Sequence, residues 1–566
     1  MRRRNLTSGR AIWRAAGLAV LVAISPAALA QDDEATEPSG DYQRYPEAAA
    51  ISVHRVQIGG EVVDYMAIAD TMALVDGEDK EQARVFSIAY RRFDPTTPNR
   101  DLGRRLLGEE LYDEIVGDYE GPSGNAEQLA QALQEAGHDP LAVFDVPDPA
   151  TRPITFSFNG GPGSSSVWLH LGVFGPRRVA YADEIGNAGA PPYGVVDNAH
   201  SMLDKSDFVF IDPVSTGYSR AAEGASAKDF HGVEPDIKSV AEFIRRYITR
   251  EQRWRSPKFI AGESYGTTRA AGLVRELHDT HGIGLNGVVL VSSILQFQTA
   301  RFDTGNDLPY VCFLPTYAAT AHYHGALEQE QLRRPIKAFL DEVEAFASGE
   351  YAAALMEGDR IDPARARRVA EQLATYTGLD AEYIERTNLR IQIFRFTKEL
   401  LRDRGQTVGR LDSRFIGRDR DSAGERYEFD PSYAAIQSNY TSSLNAYVRE
   451  ELGFESDLPY EILTNVWPWA YGGAANNRYL DVAERMRSVM HKQGHMRVFV
   501  ASGYYDLATP YFGTEYTMSH LSLAPELRGN IEIHEYEAGH MMYIHAPSLE
   551  ALRGDLAAFY AGTAGE

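Results

Sequence analysis

The chain has 566 residues, 44% of them hydrophobic and 24% charged, an ordinary globular composition able to bury a large core and unlike a disordered chain. With 80 acidic against 56 basic residues its formal net charge is −24, which argues against nucleic acid as a partner, since phosphate binding needs a basic face. The single cysteine, Cys312, excludes an internal disulfide and a thiol-based metal cluster.

In chain order, residues 1–30 read as an export signal. Arg2, Arg3, Arg4, Arg10 and Arg14 precede an apolar run from Ala15 to Leu29, and Ala28-Leu29-Ala30 offers a small-x-small cleavage site. The run is short and broken by Pro26, so a retained membrane anchor is the weaker reading. Cleavage near Ala30 predicts a periplasmic or secreted protein with no stable membrane anchor. Residues 31–48 are acidic and polar and read as a flexible leader.

The core is expected to begin at residue 49 and run to 299. Val53 to Ile58, Glu61 to Ala69 and Ala83 to Phe93 alternate like strands, with Gly59-Gly60 as a hairpin turn. Residues 95–150 look like a charged helical insertion with Leu106, Leu107, Leu111 and Ile115 on one face. Ile154 to Phe158 is a strand leading into Asn159-Gly160-Gly161-Pro162-Gly163-Ser164-Ser165-Ser166. A glycine-rich loop at a strand end leaves N–H groups unshielded, able to face a developing negative charge. A phosphate cradle is the rival, but no Gly-Lys-Ser/Thr ending follows.

Asp207 to Asp212 is the next buried strand, and a helix follows with Val233, Ile237, Val240, Ile244 and Tyr247 on one face. Then comes Phe259-Ile260-Ala261-Gly262-Glu263-Ser264-Tyr265-Gly266, a strand, a Gly-x-Ser-x-Gly turn and the start of a helix that stops at Gly282. Such a turn thrusts the serine hydroxyl clear of the sheet. Val288 to Ser292 adds another strand. Strands alternating with helices predict a mainly parallel sheet covered on both faces.

Between about 300 and 480 the pattern breaks into charged helices, at Leu327 to Phe346, Ala364 to Thr377 and Ala381 to Arg404, read as a helical lid. Inside it, His322-Tyr323-His324 is a lone histidine pair, read as an exposed loop and not as a metal site. From 481 to 566 the core resumes: Arg497 to Ala501 leads to Asp506, Ile531 to Tyr536 leads to His540, and a helix carries Leu549, Leu552, Leu556 and Phe559.

Ser264, Asp506 and His540 thus follow strand ends in the order nucleophile, acid, histidine, the order of the α/β-hydrolase arrangement. At this point the chain resembles the serine carboxypeptidases, exported peptidases of that fold. Four blocks carry the resemblance: Asn159 to Ser165, Gly262 to Gly266, Gly503 to Asp506, and Gly539-His540-Met541, with the Asp212 to Ser219 loop also similar. The match is strong over about 154–295 and 495–560 and weak in the leader, the 95–150 insertion and the lid.

The resemblance implies that Ser264 attacks the scissile carbonyl, that His540 takes and returns the proton, and that Asp506 orients the imidazole. It further implies an oxyanion hole from the N–H groups of Gly161 and Tyr265, and recognition of the substrate's terminal carboxylate by Asn159 and Glu263. One carboxyl can bond another only when one carries a proton, so Glu263 is expected to be protonated when substrate binds. Partners are then peptides with a free C-terminus; no cofactor and no metal are expected. Two positions depart from the family pattern: Val173 stands where a glutamate is common, and Ser157 where a tryptophan is common. Both places belong to the carboxylate-reading network, which is therefore simpler here. An esterase or acyltransferase on the same scaffold is the alternative, and a catalytically silent binding protein a distant third.

Overall fold

In the computed structural model, nine strands run along one sheet: β1 (Ala50–Ile58), β2 (Glu61–Val75), β3 (Glu81–Arg92), β4 (Ile154–Phe158), β5 (Asp207–Ile211), β6 (Lys258–Glu263), β7 (Gly287–Val291), β8 (Arg497–Gly503) and β9 (Ile531–Tyr536). Their spatial order is β1-β2-β3-β5-β4-β6-β7-β8-β9, and a two-residue strand, Arg220–Ala221, pairs with β3. The structure describes residue 45 and residues 48–117 and 125–563. The export signal and nearly all of the leader expected from sequence therefore lie outside the described residues. Those described belong to one compact unit, residues 43–566.

The sheet has two characters, and composition explains both. The first three strands are antiparallel, and the first two are joined by a tight turn at Gly59-Gly60 where both residues have positive φ. From β5 to β9 every pairing is parallel. The strands β4 to β7 are buried at every position, as a sheet covered on both faces requires. Alternate residues feed opposite cores. Phe259, Val289 and Phe499 point to the face closed by Leu549, Leu552, Leu556 and Phe559 of the C-terminal helix Ala546–Thr563. Ile260, Val288 and Val500 point to the face closed by α1 (Val233–Arg250) and α2 (Tyr265–His281). The apolar stripe read on α1 is fully buried there.

In the expected insertion three helices, Arg100–Leu107, Glu109–Val116 and Asn125–Glu135, pack around a small core with Ile51 and Met66. Leu111, expected on the buried face, is exposed; Gly108, with φ 85°, breaks the helix and turns Tyr112 and Val116 inward instead.

The helical region also differs in detail. The helix expected over 327–346 is two, Gln329–Leu332 and Ile336–Phe346, because Pro335 interrupts it. The one expected over 381–404 breaks between Arg386 and Ile393, where Asn388 and Leu389 both have positive φ. A helix that periodicity missed, α3 (Leu308–Tyr323), contains Pro315 and is buried almost all round, so it carries no stripe to read. With no disulfide available, packing joins this region to the core: Phe339, Leu373 and Phe396 share a cluster with Tyr504, Tyr505 and Leu507. The expectation of an exposed loop at His322 to His324 is corrected. His322 lies half-buried on α3 beside the ring of Phe339, and His324 Nε2 donates to the Ser413 carbonyl at 2.6 Å. Among the described residues no helix is long and apolar enough to cross a membrane.

Candidate active site

Four loops leave the carboxyl ends of neighbouring parallel strands: residues 159–166 after β4, Ser264 after β6, residues 504–509 after β8 and residues 537–541 after β9. Ligand sites of open α/β sheets form at this edge. Ser264 sits between β6 and α2 with φ 59° and ψ −129°, a conformation that a non-glycine residue adopts only at a cost of order 1–3 kcal/mol. The turn is tight enough that a Cβ on Gly262 would lie 2.3 Å from the Gly266 carbonyl oxygen. Glycine at 262 is what lets the strand and helix come so close.

The strand between them ties serine to histidine. Ser264 N–H donates to the Val291 carbonyl at 3.0 Å, and the next residue, Ser292, donates through Oγ to the His540 carbonyl at 2.6 Å. His540 Nδ1 lies 2.7 Å from Asp506 Oδ2, with both side chains buried. Asp506 Oδ1 accepts from the N–H groups of Ala508 (2.7 Å) and Thr509 (3.0 Å), and Oδ2 accepts from Thr509 Oγ1 (2.7 Å). Burial disfavours a charged imidazole, but the charge and hydrogen bond of Asp506 outweigh it, and the His540 pKa is raised above its ordinary value.

The glycine-rich loop packs on the start of α2. A Cβ on Gly160 would stand 2.4 Å from Tyr265 N. Gly161 follows with φ 101°. Neither the Gly161 nor the Tyr265 N–H donates to a backbone carbonyl among the described residues. The loop is anchored from both sides: Arg269 Nη1 donates to the Asn159 carbonyl at 2.6 Å, and Thr464 N–H donates to the Gly163 carbonyl at 2.8 Å. Arg269 is itself held by a buried ion pair with Asp236 at 2.8 Å.

Asn159 and Glu263 are both buried. Burial pushes the Glu263 carboxyl up to about 7, helped by the Asp506 charge and opposed by His540, Tyr543 and the Asn159 amide. Tyr543 Oη donates to Glu263 Oε2 at 2.5 Å. Asn159 Oδ1 accepts from Leu169 N–H at 3.0 Å, while Nδ2 has no hydrogen-bond partner. Val173 is buried and apolar, and the Ser157 hydroxyl is buried without a partner, so neither departure from the family pattern supplies a new carboxyl.

Sequence reasoning missed a seam from the helical region. Leu507 N–H donates to the Arg410 carbonyl (3.0 Å), His540 N–H to the Leu411 carbonyl (2.7 Å), and Ser413 N–H to the Tyr505 carbonyl (3.0 Å). Asp412 Oδ2 accepts from Gly539 N–H at 3.2 Å and pairs with Arg414 at 2.7 Å, and Arg414 Nη1 donates to the Glu537 carbonyl at 3.1 Å. Residues 410–414 thus bridge the aspartate loop and the histidine loop. Nothing periodic marks them in the sequence. Thr509 and Tyr543, each three residues past a candidate catalytic residue, were the more findable omissions.

A family model described as serine carboxypeptidase matches residues 143–543, which span every one of these residues. The chain belongs to the serine carboxypeptidase family. Its fold is the α/β-hydrolase fold, with a mostly parallel central sheet and helices on both faces. Among relatives of this chain, serine carboxypeptidase-like 46 of Arabidopsis thaliana is 28% identical over 164 residues, 27% of this chain and 31% of the relative. Serine carboxypeptidase ctsa-3.2 of Caenorhabditis elegans is 30% identical over 117 residues, 19% of this chain and 20% of the relative. Carboxypeptidase Y homolog A of Paracoccidioides brasiliensis is 29% identical over 147 residues, 25% and 24% of the two chains. In each case the match spans under a third of the relative's length. A solved structure of Kex1(Δ)p, a prohormone-processing carboxypeptidase from Saccharomyces cerevisiae, aligns over 88% of this chain and 91% of its own, at 14% identity and a TM-score of 0.48.

Proposed function

We propose that this family member is an exported serine carboxypeptidase that releases C-terminal amino acids through an acyl-enzyme on Ser264. The observation that carries the reading is the His540–Asp506 pair, buried and 2.7 Å apart, one strand from a serine held at positive φ.

In the proposed cycle Ser264 Oγ attacks the scissile carbonyl as His540 Nε2 takes its proton, and Asp506 accepts from Nδ1–H and steadies the imidazolium. The N–H groups of Gly161 and Tyr265 receive the oxyanion. His540 then protonates the leaving amine, and water, deprotonated by the same imidazole, releases the acyl group. Asn159 and protonated Glu263 read the terminal carboxylate, a role supported by the raised Glu263 pKa. Residues 300–480 act as the lid, a reading supported by the 410–414 seam and by Leu463, whose Cδ1 would lie 3.5 Å from a Cβ at Gly161. Residues 1–30 direct export, testable as the loss of that segment from the mature protein's mass.

The deciding experiment compares blocked dipeptides with their C-terminally amidated counterparts, using wild type and Ser264→Ala. Amino-acid release confined to free-acid peptides and abolished by Ser264→Ala is expected. Undiminished release by Ser264→Ala would overturn the mechanism, and equal cleavage of acid and amide would overturn the carboxypeptidase reading.

A further inference from the structure

Glu263 is buried, yet its two oxygens are treated differently. Oε2 accepts from Tyr543 Oη at 2.5 Å, while no hydrogen bond engages Oε1 among the described residues. The Tyr543 ring cannot drift: a Cβ on Gly172 would lie 2.3 Å from its Cε2, so the ring fills a slot that the turn His170–Phe174 leaves open only because residue 172 is glycine. A carboxylic acid has one oxygen that donates and one that accepts. A phenol donating to Oε2 occupies the acceptor, which leaves the acid proton to Oε1.

The second observation is the Asn159 amide. Its Oδ1 is committed to Leu169 N–H, and its Nδ2, buried to within 1% of full enclosure, has no hydrogen-bond partner. A buried amide donor left unmade is costly unless a ligand completes it. Beside it, Oε1–H of Glu263 is a second donor with no acceptor. Two convergent donors match the two oxygens of a carboxylate.

We propose that Tyr543 is a positioning residue: by donating to Glu263 Oε2 it fixes the acid proton on Oε1, so that Oε1–H and Asn159 Nδ2–H form a two-pronged site for a peptide's terminal carboxylate. This rests on the carboxypeptidase reading above and adds the device that gives it direction. The groups facing Glu263 are His540 and Asp506 from the two strand-end loops, Tyr543, and Asn159. Behind Tyr543 lie Tyr440 and Tyr181, whose hydroxyls are 2.8 Å apart. Of these, Asp506 opposes ionisation of Glu263, while His540, Tyr543 and Asn159 favour it.

The test is Tyr543→Phe, which removes one oxygen and keeps the ring. The ratio of kcat/KM on a blocked free-acid dipeptide to that on its C-terminal amide is measured from about pH 5 to pH 9. The variant is expected to lower this ratio at pH 5 about tenfold, the order given by one lost hydrogen bond to a charged group. It should also move the pH at which the ratio declines upward, because the ionised carboxyl loses a donor. An unchanged ratio, or equal loss on acid and amide with an unmoved pH profile, overturns the proposal. Should Tyr543→Phe fail to fold, Glu263→Gln carries the test. With Tyr543 donating to the amide oxygen, the amide N–H2 faces the substrate, and acid preference should persist across the whole range; its loss overturns the proposal. Wild-type protein that cleaves acid and amide alike would instead remove the carboxypeptidase reading and this proposal with it, an outcome distinct from failure of the variant alone.

Discussion

Replacing Gly160 by alanine tests the oxyanion hole through geometry that leaves little freedom. The added methyl would lie 2.4 Å from Tyr265 N, 2.7 Å from the Glu263 carbonyl oxygen and 2.7 Å from Gly266 N. All three are backbone atoms, and the first turn of α2 is pinned by Thr267 N–H on the Ser264 carbonyl at 2.9 Å and by Arg269 on Asp236. The helix therefore stays and the loop moves. Opening 2.4 Å to an ordinary contact near 3.4 Å takes about 1 Å, and the Gly161 N–H travels with its neighbour. A misplacement of about 1 Å costs about 10²-fold, and loss of one oxyanion donor about 10²–10³-fold, or roughly 3 kcal/mol of transition-state stabilisation. Because the oxyanion exists only in the transition state, kcat should fall by that factor with KM nearly unmoved. Initial rates on a blocked dipeptide, normalised to active sites titrated with a fluorophosphonate, measure the effect, and circular dichroism checks the fold. A folded Gly160→Ala protein with kcat within about threefold of wild type would refute the reasoning.

Four further outcomes are expected. Asp506→Asn should lower kcat about 10⁴-fold, read by steady-state kinetics with the fold intact, since the amide favours the wrong imidazole tautomer. Peptidase kcat/KM should fall as pH rises through about 7, where Glu263 ionises, while cleavage of an ester lacking a free carboxylate continues; Glu263→Gln should flatten the peptidase profile. The same group makes a stability prediction. Its folded-state value of about 7 lies above the 4.5 of an exposed glutamate, so the folded protein loses relative stability as pH rises from 4.5 to 7, by about 3 kcal/mol in all. Glu263→Gln should accordingly melt higher than wild type at pH 8, with the gap narrowing below pH 4.5. Asp412→Ala strands the Arg414 guanidinium, which is 3% exposed, and should cost about 3–5 kcal/mol in chemical denaturation. It should also lower kcat, because Gly539, the residue before His540, loses the carboxylate that anchors its N–H.

What sequence could and could not convey follows from which contacts are local. The central strands were legible because Phe259-Ile260-Ala261 and Val288-Val289-Leu290 are apolar runs that feed both cores. Ser264 was legible because a strained strand-to-helix turn demands glycine on each side, and the spacing advertises it. Asp506 and His540 could be selected because each follows a strand end, in the order that the fold uses. The same local logic failed where a contact joins distant parts of the chain. Leu411 to Arg414 meet residues 505–540 through main-chain hydrogen bonds and the side chains of Asp412 and Arg414, which leave no periodic trace. Tyr543 is only three residues beyond His540, but its meaning lies in a partner 280 residues away. The helix Leu308–Tyr323 was hidden because it is buried nearly all round, and Leu389 at φ 63° breaks a helix that its side chain favours.

The bridge at residues 410–414 bears on how such an enzyme can be altered. A designer who wished to change side-chain preference by exchanging the helical region for a relative's would also be exchanging the struts beneath Asp506 and His540. Any transplant that omits those five residues, or displaces them by a one-residue insertion, gains a new rim and loses the main-chain struts that hold the Asp506 and His540 loops. In the proposed mechanism recognition and turnover share a foundation, so new specificity has to be introduced around that strip and not through it.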